Sequence, residues 1–151
     1  MNPYKIMLVD DEEEVRTSII RKIDWQDAGF EVIGDAENGK EALEKIEQNE
    51  PDVVLTDIRM PYMDGLEMAE NLHELGVHVT VVEMANQVMA PLDYSMAAIV
   101  HQQLIGKQVG LMLEDGVSRF EETSRGVTVH LKSGKQIPAD MVLLSIGVRP
   151  E

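Results

Sequence analysis

Pro51-Asp52-Val53-Val54-Leu55-Thr56-Asp57-Ile58-Arg59-Met60-Pro61 is the stretch whose reading decides the fold. Pro51-Asp52 ends a loop, and Val53-Val54-Leu55 reads as a buried strand that carries an acid, Asp57, at its carboxyl end. The same pattern stands earlier: Lys5 to Val9 is a short apolar run that ends in Asp10-Asp11. Between the two, Glu12 to Ile23 places Val15, Ile19, Ile20 and Ile23 at helical spacing, which predicts one buried stripe. Phe30 to Gly34 reads as another strand, and Asn38-Gly39 turns the chain into a helix over Lys40 to Gln48 with Ala42, Leu43 and Ile46 on its inner face. Three strands joined by helices imply a parallel sheet covered on both faces.

Working outward, the 151 residues suit one domain, 1–151, with a change of style near Gly65. The net charge is −15, with 17 acidic against 7 basic residues in the first 65 and 11 against 6 after them. Such a surface repels nucleic acid and anionic lipid, so neither is an expected partner. No run approaches the roughly 20 apolar residues of a membrane span, and the N-terminus does not read as a signal peptide, so a soluble cytoplasmic protein is expected. Cysteine is absent, which removes disulfides and thiolate chemistry together. His73, His78, His101 and His130 share no metal-ligand spacing, and Met68, Met84, Met89, Met96 and Met112 read as core filling.

Past Gly65, the residues Leu66, Met68, Ala69, Leu72 and Leu75 predict a helix closed by Gly76. Val77 to Val82 predicts a strand ending at Glu83, and Asp93 is placed to cap a helix through about Ile105. Leu111 to Leu113, Val117 to Phe120 and Val127 to Leu131 then read as a small antiparallel meander, followed by one more buried strand over Met141 to Ile146. The fold class expected is α/β: a doubly wound parallel sheet, a flavodoxin-like or Rossmann-like three-layer sandwich, with an antiparallel meander appended.

Strand ends on the carboxyl side of a parallel sheet face one crevice, so Asp10, Asp11 and Asp57 are expected to converge there. Three carboxylates so close repel one another unless a cation intervenes, and Mg²⁺ suits oxygen ligands while keeping several waters. Taken singly, each acid reads better as a helix cap or a solvated turn residue than as a site residue. Taken together, Leu8-Val9-Asp10-Asp11-Glu12, Asp35-Ala36-Glu37-Asn38-Gly39-Lys40-Glu41-Ala42-Leu43, the stretch Pro51 to Pro61 and Met63-Asp64-Gly65 resemble, in order, the receiver domain of response regulators. Ile23-Asp24-Trp25 followed by Gly29-Phe30-Glu31 resembles receivers that precede AraC-type DNA-binding domains. The resemblance implies Asp57 as phosphoacceptor, a metal site formed by Asp10, Asp11, Asp57 and the backbone carbonyl of Arg59, and a histidine kinase or small phosphodonor as partner. Trp25 is read as a packing residue.

The receiver pattern also implies a next strand ending in Ser or Thr and a later one ending in Lys-Pro, and neither follows. Glu83 stands where the hydroxyl is expected, so slow phosphorylation and a broken relay are expected. Instead, Gly65-Leu66-Glu67-Met68-Ala69-Glu70, Val79 to Met89 and Ile137 to Pro150 resemble the NAD-binding domain of FAD-dependent pyridine nucleotide-disulfide oxidoreductases, in the NADH oxidase and coenzyme A-disulfide reductase branch. That resemblance implies Glu83 as the ribose-binding acid and Gly65 as the last glycine of a phosphate-binding turn. The two earlier glycine positions fall on Met60 and Tyr62, which leaves a pyrophosphate without a cradle. NAD binding is therefore not expected, FAD is not a cofactor, and the chain is read as a non-enzyme. The whole reads as a chimera, engineered or recombined, with a divergent natural receiver as the alternative; a phosphoacceptor module is the first functional reading, a NAD(H)-binding fragment using Glu83 and the helix that starts near Gly65 the second, and a recombination product without selected function the third. Superposing the two sheet orders, 2-1-3-4-5 for the receiver, sets Ile6 to Val9 and Val142 to Ser145 in competition for one slot. Residues 141–146 are then expected at a sheet edge, another face or a neighbouring molecule, where they would favour a homodimer, and their removal is expected to cost little stability.

Overall fold

The computed structural model describes residues 3–124 and 126–145. Along the chain the elements are β1 (Tyr4–Val9), α1 (Glu13–Lys22), β2 (Phe30–Ala36), α2 (Gly39–Asn49) and β3 (Val53–Thr56). Next come α3 (Gly65–Glu74), β4 (Thr80–Val82), α4 (Tyr94–Gly106) and β5 (Gly110–Met112). The last are β6 (Val117–Thr123), β7 (Gly126–Leu131), β8 (Gln136–Ala139) and β9 (Val142–Leu144). These elements form two compact units, one built on the chain up to Met68 together with β9, the other on Ala69–Asp140.

The first unit is a parallel sheet in the order β2-β1-β3-β9. The chain moves from β1 outward to β2 and then back across β1 to β3. Right-handed crossovers in opposite directions put α1 and α2 on opposite faces, which gives the three-layer, flavodoxin-like arrangement. Central β1 is deeply buried, with Ile6, Met7, Leu8 and Val9 each at most 2% exposed. Asn38 accepts from Glu41 N–H (3.0 Å) at the start of α2, and Glu41 reaches back to Glu37 N–H (2.9 Å), a reciprocal cap that fixes where this helix begins. Ala42 and Ile46 form its buried face, with Leu43 half-buried beside them.

Helix α1 departs from its sequence reading. Val15, Ile19 and Ile20 are half-buried and Ile23 is 44% exposed, so the expected apolar stripe is not closed. A polar anchor holds this helix instead: Arg16 Nε donates to Asp35 Oδ2 (2.5 Å) and Nη1 donates to the Asp10 carbonyl (2.6 Å), tying α1 to the ends of β1 and β2.

The strand order also differs from the expected 2-1-3-4-5. Strand β4 pairs in parallel with β5 in a sheet of two, closed through α4 as a local β-α-β unit. The place beside β3 is taken by β9, in the register Val53↔Val142, Val54↔Leu143 and Leu55↔Leu144, with Val142 N–H donating to Asp52 O (3.0 Å). The anticipated competition for one slot does not arise, because β1 and β9 flank β3 on opposite sides. Strand β9 is an edge strand, as expected, but it covers an edge of β3 that its removal would expose. Ile146, included in the expected strand, lies outside the described residues.

In the second unit, α4 buries Ala97, His101 and Leu104 along one stripe. Asp93 occupies the N-cap position without making a side-chain capping bond. His101 Nε2 accepts from Val88 N–H (3.1 Å), and Gln103 bridges both oxygens of buried Glu70. The meander is β6-β7-β8, all antiparallel, while β5 belongs with β4 rather than with it. Buried Asp115 fastens the meander by accepting from Gly116 N–H, Ser133 N–H and Ser133 Oγ–H. Those bonds, the Ser133 hydroxyl foremost, hold its carboxyl below the ordinary range. Of the methionines read as core, Met68 is fully buried, whereas Met84 and Met96 are 67% and 54% exposed, since each lies off the buried face of its segment. Among the described residues no helix is long and apolar enough to cross a membrane.

Gly39 admits a close approach in the first unit. A Cβ there would stand 2.8 Å from the Met63 carbonyl oxygen and 2.9 Å from its Cγ, and Gly39 N–H donates to that same carbonyl (3.2 Å). Gly39→Ala adds helix propensity worth up to about 1 kcal/mol but forces the Asp57–Gly65 loop outward at a typical cost of about 1–3 kcal/mol. A net fall in melting temperature is expected in thermal denaturation, and an unchanged or raised value would contradict this packing.

Candidate functional site

Pairing of β1 with β3 builds the site. Their last ladder pair is Val9↔Thr56, Asp57 N–H donates to Val9 O (3.1 Å), and Asp10 N–H donates to Ala36 O (3.1 Å). Asp10 and Asp57 therefore leave the sheet side by side, one residue past the ladder. Asp10 is half-buried, while Asp11 and Asp57 are exposed. Oδ1 of Asp10 accepts from Glu12 N–H (2.8 Å) and Oδ1 of Asp57 from Ile58 N–H (2.8 Å). The second oxygen of each carboxylate has no hydrogen-bond partner among the described residues.

Electrostatics tie the three acids together. Burial pushes the Asp10 carboxyl above its ordinary range, the Glu12 N–H pulls it part of the way back, and the negative charges of Asp57 and then Asp11 raise it further. The Arg16 guanidinium opposes them. A carboxyl whose ionisation is harder in the folded than in the unfolded chain contributes stability at low pH that is lost as pH rises through its raised folded value. At neutral pH the ionised Asp10 therefore costs stability. Among the described residues no three His, Cys, Asp or Glu side chains close into a ready chelating group. The acids act on one another through space.

The loop after Asp57 is held tightly at both ends. Gly65 N–H donates to Ile58 O (2.9 Å), and a Cβ on Gly65 would stand 3.0 Å from Asp57 O and 3.2 Å from Ile58 Cα. This glycine thus lets α3 begin against the peptide that carries Asp57. Asp64 caps α3 by accepting from Leu66 and Glu67 N–H (2.9 and 2.8 Å), while Glu67 returns a bond to Asp64 N–H (3.1 Å). Arg59 is exposed on this loop, and Tyr62, 91% exposed, adopts a left-handed φ of 68°.

Asp10, Asp11 and Asp57 are thus brought to one end of the first sheet, with Arg59 on the adjoining loop. Glu83 follows β4 in the second unit, where its Oε1 accepts from Ala85 N–H (2.8 Å). The strand beside β3 is β9, and the residue that follows it is Ser145, not Glu83. The expectation about Glu83 took β4 as the neighbour of β3, and that place is held by β9. Sequence reading also missed Arg16 and Asp35, whose pairing joins α1 to two strand ends. Their spacing of 19 residues carries no periodic signal.

Comparison with known proteins bears on both halves. The model of the response regulator receiver domain family matches residues 6–111. The chain is 32% identical over 139 residues to the transcriptional regulatory protein YesN of Bacillus subtilis (strain 168), a match covering 85% of this chain and 37% of that protein. The chain thus spans well under half the length of this curated relative. Among solved structures, the signal receiver domain of the response regulator NarL from Mycobacterium tuberculosis is 27% identical, with a TM-score of 0.50, over 77% of this chain and 87% of that one. A NAD-dependent persulfide reductase from A. fulgidus is 32% identical, with a TM-score of 0.57, over 74% of this chain and 21% of that one. With a family model spanning most of its length and its acids at the strand ends, the chain belongs to the response regulator receiver domain family.

Proposed function

We propose that this chain is a phosphoacceptor module of two-component signalling, in which Asp57 takes a phosphoryl group from a histidine kinase or a small phosphodonor. The observation that carries this reading is the β1–β3 register, which sets Asp10 beside Asp57 with an oxygen of each free. In the transfer, an Asp57 carboxylate oxygen attacks the donor phosphorus. The bond from phosphorus to the donor's leaving group breaks, that group departs with the electron pair, and Asp57 becomes an acyl phosphate.

The donor set fits Mg²⁺. Hard carboxylate oxygens of Asp10, Asp11 and Asp57, together with the Arg59 carbonyl, stand at a place where negative charge already resists ionisation of Asp10. When bound, the ion would offset the charge of the incoming phosphoryl group. Arg16 holds the Asp10 carbonyl and so fixes the turn that presents Asp10 and Asp11. Among the described residues no strand of the first unit ends in a lysine, which supports a module whose relay from site to surface is incomplete.

Structural likeness to a NAD-dependent reductase favours a second reading, nucleotide binding, but the residues do not fit it. Buried Met60 and left-handed Tyr62 stand where a pyrophosphate cradle needs bare backbone. We retain from that likeness only a proposal about origin: a composite chain, receiver-like through Gly65 and NAD-domain-like after it, is supported by structural neighbours of both kinds.

In metal-free buffer at neutral pH, Asp10→Asn is expected to melt above the parent, because it removes the carboxylate whose ionisation costs stability. Mg²⁺ about tenfold above its dissociation constant should raise the parent by about 2–5 °C and Asp10→Asn by much less. Equal gains in both would place the ion elsewhere. Acetyl phosphate with Mg²⁺ should add one phosphoryl mass to the parent and none to Asp57→Asn by intact mass spectrometry. Labelling that survives Asp57→Asn would sink the assignment.

A further inference from the structure

Strand β6 is an edge strand: β7 pairs with it on one side, and among the described residues no strand pairs with it on the other. Only two residues separate Thr123 from Gly126, so the backbone groups of this closing pair face each other. By strand alternation those of Glu121 and Arg119 also face β7, while those of Phe120 and Glu122 point out of the sheet. The side chains divide between two faces. Phe120, Val129 and Ile137 form one apolar row across the meander, and Arg119, Glu121 and His130 share the opposite face. The row ends abruptly at β6, where Phe120 is 47% exposed against 7% for Val129. On the polar face, Arg119 Nη1 stands 2.9 Å and His130 Nε2 2.7 Å from the same oxygen of Glu121, Oε2. These neighbours, His130 foremost, hold the Glu121 carboxyl below its ordinary range, so it is charged at neutral pH.

We propose that β6 pairs antiparallel with β6 of a second copy of this chain, about a two-fold axis at Phe120. The case rests on charge complementarity. With Phe120 opposite its own copy, Arg119 of each chain lies opposite Glu121 of the other, and opposite charges meet twice across the axis. Moving the axis one residue to either side sets Arg119 against Arg119 or Glu121 against Glu121, which is repulsive. The outward backbone groups of Phe120 belong to the pair that exchanges hydrogen bonds in this register. On the other face the two apolar rows join at Phe120, so each half-exposed ring gains a neighbour. A two-fold contact of this kind closes at two copies. The opposite edge of the meander does not extend the sheet, because Pro138 in β8 offers no N–H. An irregularity between Val117 and Arg119 keeps the pairing short, which makes the dimer weak and reversible. The surface lies outside residues 6–111, which match the family model, and differs from residues 141–146, where a homodimer contact was first expected. It does not depend on the reading of Asp57.

The test is sedimentation velocity of the full chain over a range of protein concentrations at about 0.15 M salt, where the repulsion between distant charges is screened and ion pairs in contact persist. It compares the parent, Arg119→Glu, Glu121→Arg, the double exchange Arg119→Glu with Glu121→Arg, and an equimolar mixture of the two single variants. The parent should pass from monomer to dimer as concentration rises. Each single variant sets like charges opposite each other and should raise the dissociation constant about tenfold or more. The mixture should regain dimers, because the two chains then carry opposite charges at both facing positions, and the double exchange should regain them on its own. All variants should melt close to the parent, since the exchanged pair is exposed. A parent that stays monomeric throughout would overturn the proposal. Single variants that dimerise as the parent does would place the contact elsewhere and overturn it too. Dimers lost in both single variants and restored neither by mixing nor by the double exchange would contradict the register, and with it the proposal.

Discussion

Parallel pairing on both sides of β3 is the constraint from which the rest of the first unit follows. Strand ends in a parallel sheet stop at one level only if the registers agree, and here Val9↔Thr56 on one side and Leu55↔Leu144 on the other bring Asp10, Asp57 and Ser145 to the same rim. Burial enforces those registers. Met7 and Val54 are fully buried, and a slip of one residue would turn each strand's apolar set away from its place. Every chemical statement about the site is a consequence of that alignment.

Electrostatics then set what the rim can do. Asp10 is pressed toward neutrality by burial and by two neighbouring carboxylates, and Arg16 only partly relieves it. In the function proposed above, a cation bound at this rim would relieve that unfavourable state. The same Arg16 is the main tie of α1 to the sheet, so the polar contacts that shape the site also replace the apolar packing that this helix lacks. Gly39 and Gly65 complete the arrangement from the other direction. Each allows backbone to lie against the Asp57–Gly65 loop where a methyl group would not fit.

Much of this was legible in the residues themselves. Apolar runs that end in acids announce β1 and β3, and Asn38 with Glu41 announces the start of α2 through its reciprocal cap. What periodicity encodes is burial, not partnership. Val79 to Val82 and Val142 to Leu144 look alike as strands, and nothing in either says which of them lies against β3. The receiver order 2-1-3-4-5 favoured the first, and the structure uses the second. The residue that follows the neighbour of β3 is therefore Ser145, where the receiver order led to Glu83. Strand β8 was hidden for another reason. Pro138 argues against a central strand, and β8 is in fact an edge strand, where a missing N–H is tolerated.

The most direct test of this account is a measurement of which strand lies beside β3 in solution. In nuclear Overhauser spectra of the isotope-labelled chain, the account predicts cross-peaks between the backbone protons of Val53 to Leu55 and those of Val142 to Leu144, in the register Val54↔Leu143. Cross-peaks from Val53 to Leu55 to the backbone of Thr80 to Val82 instead would return Glu83 to the phosphoacceptor and contradict the account.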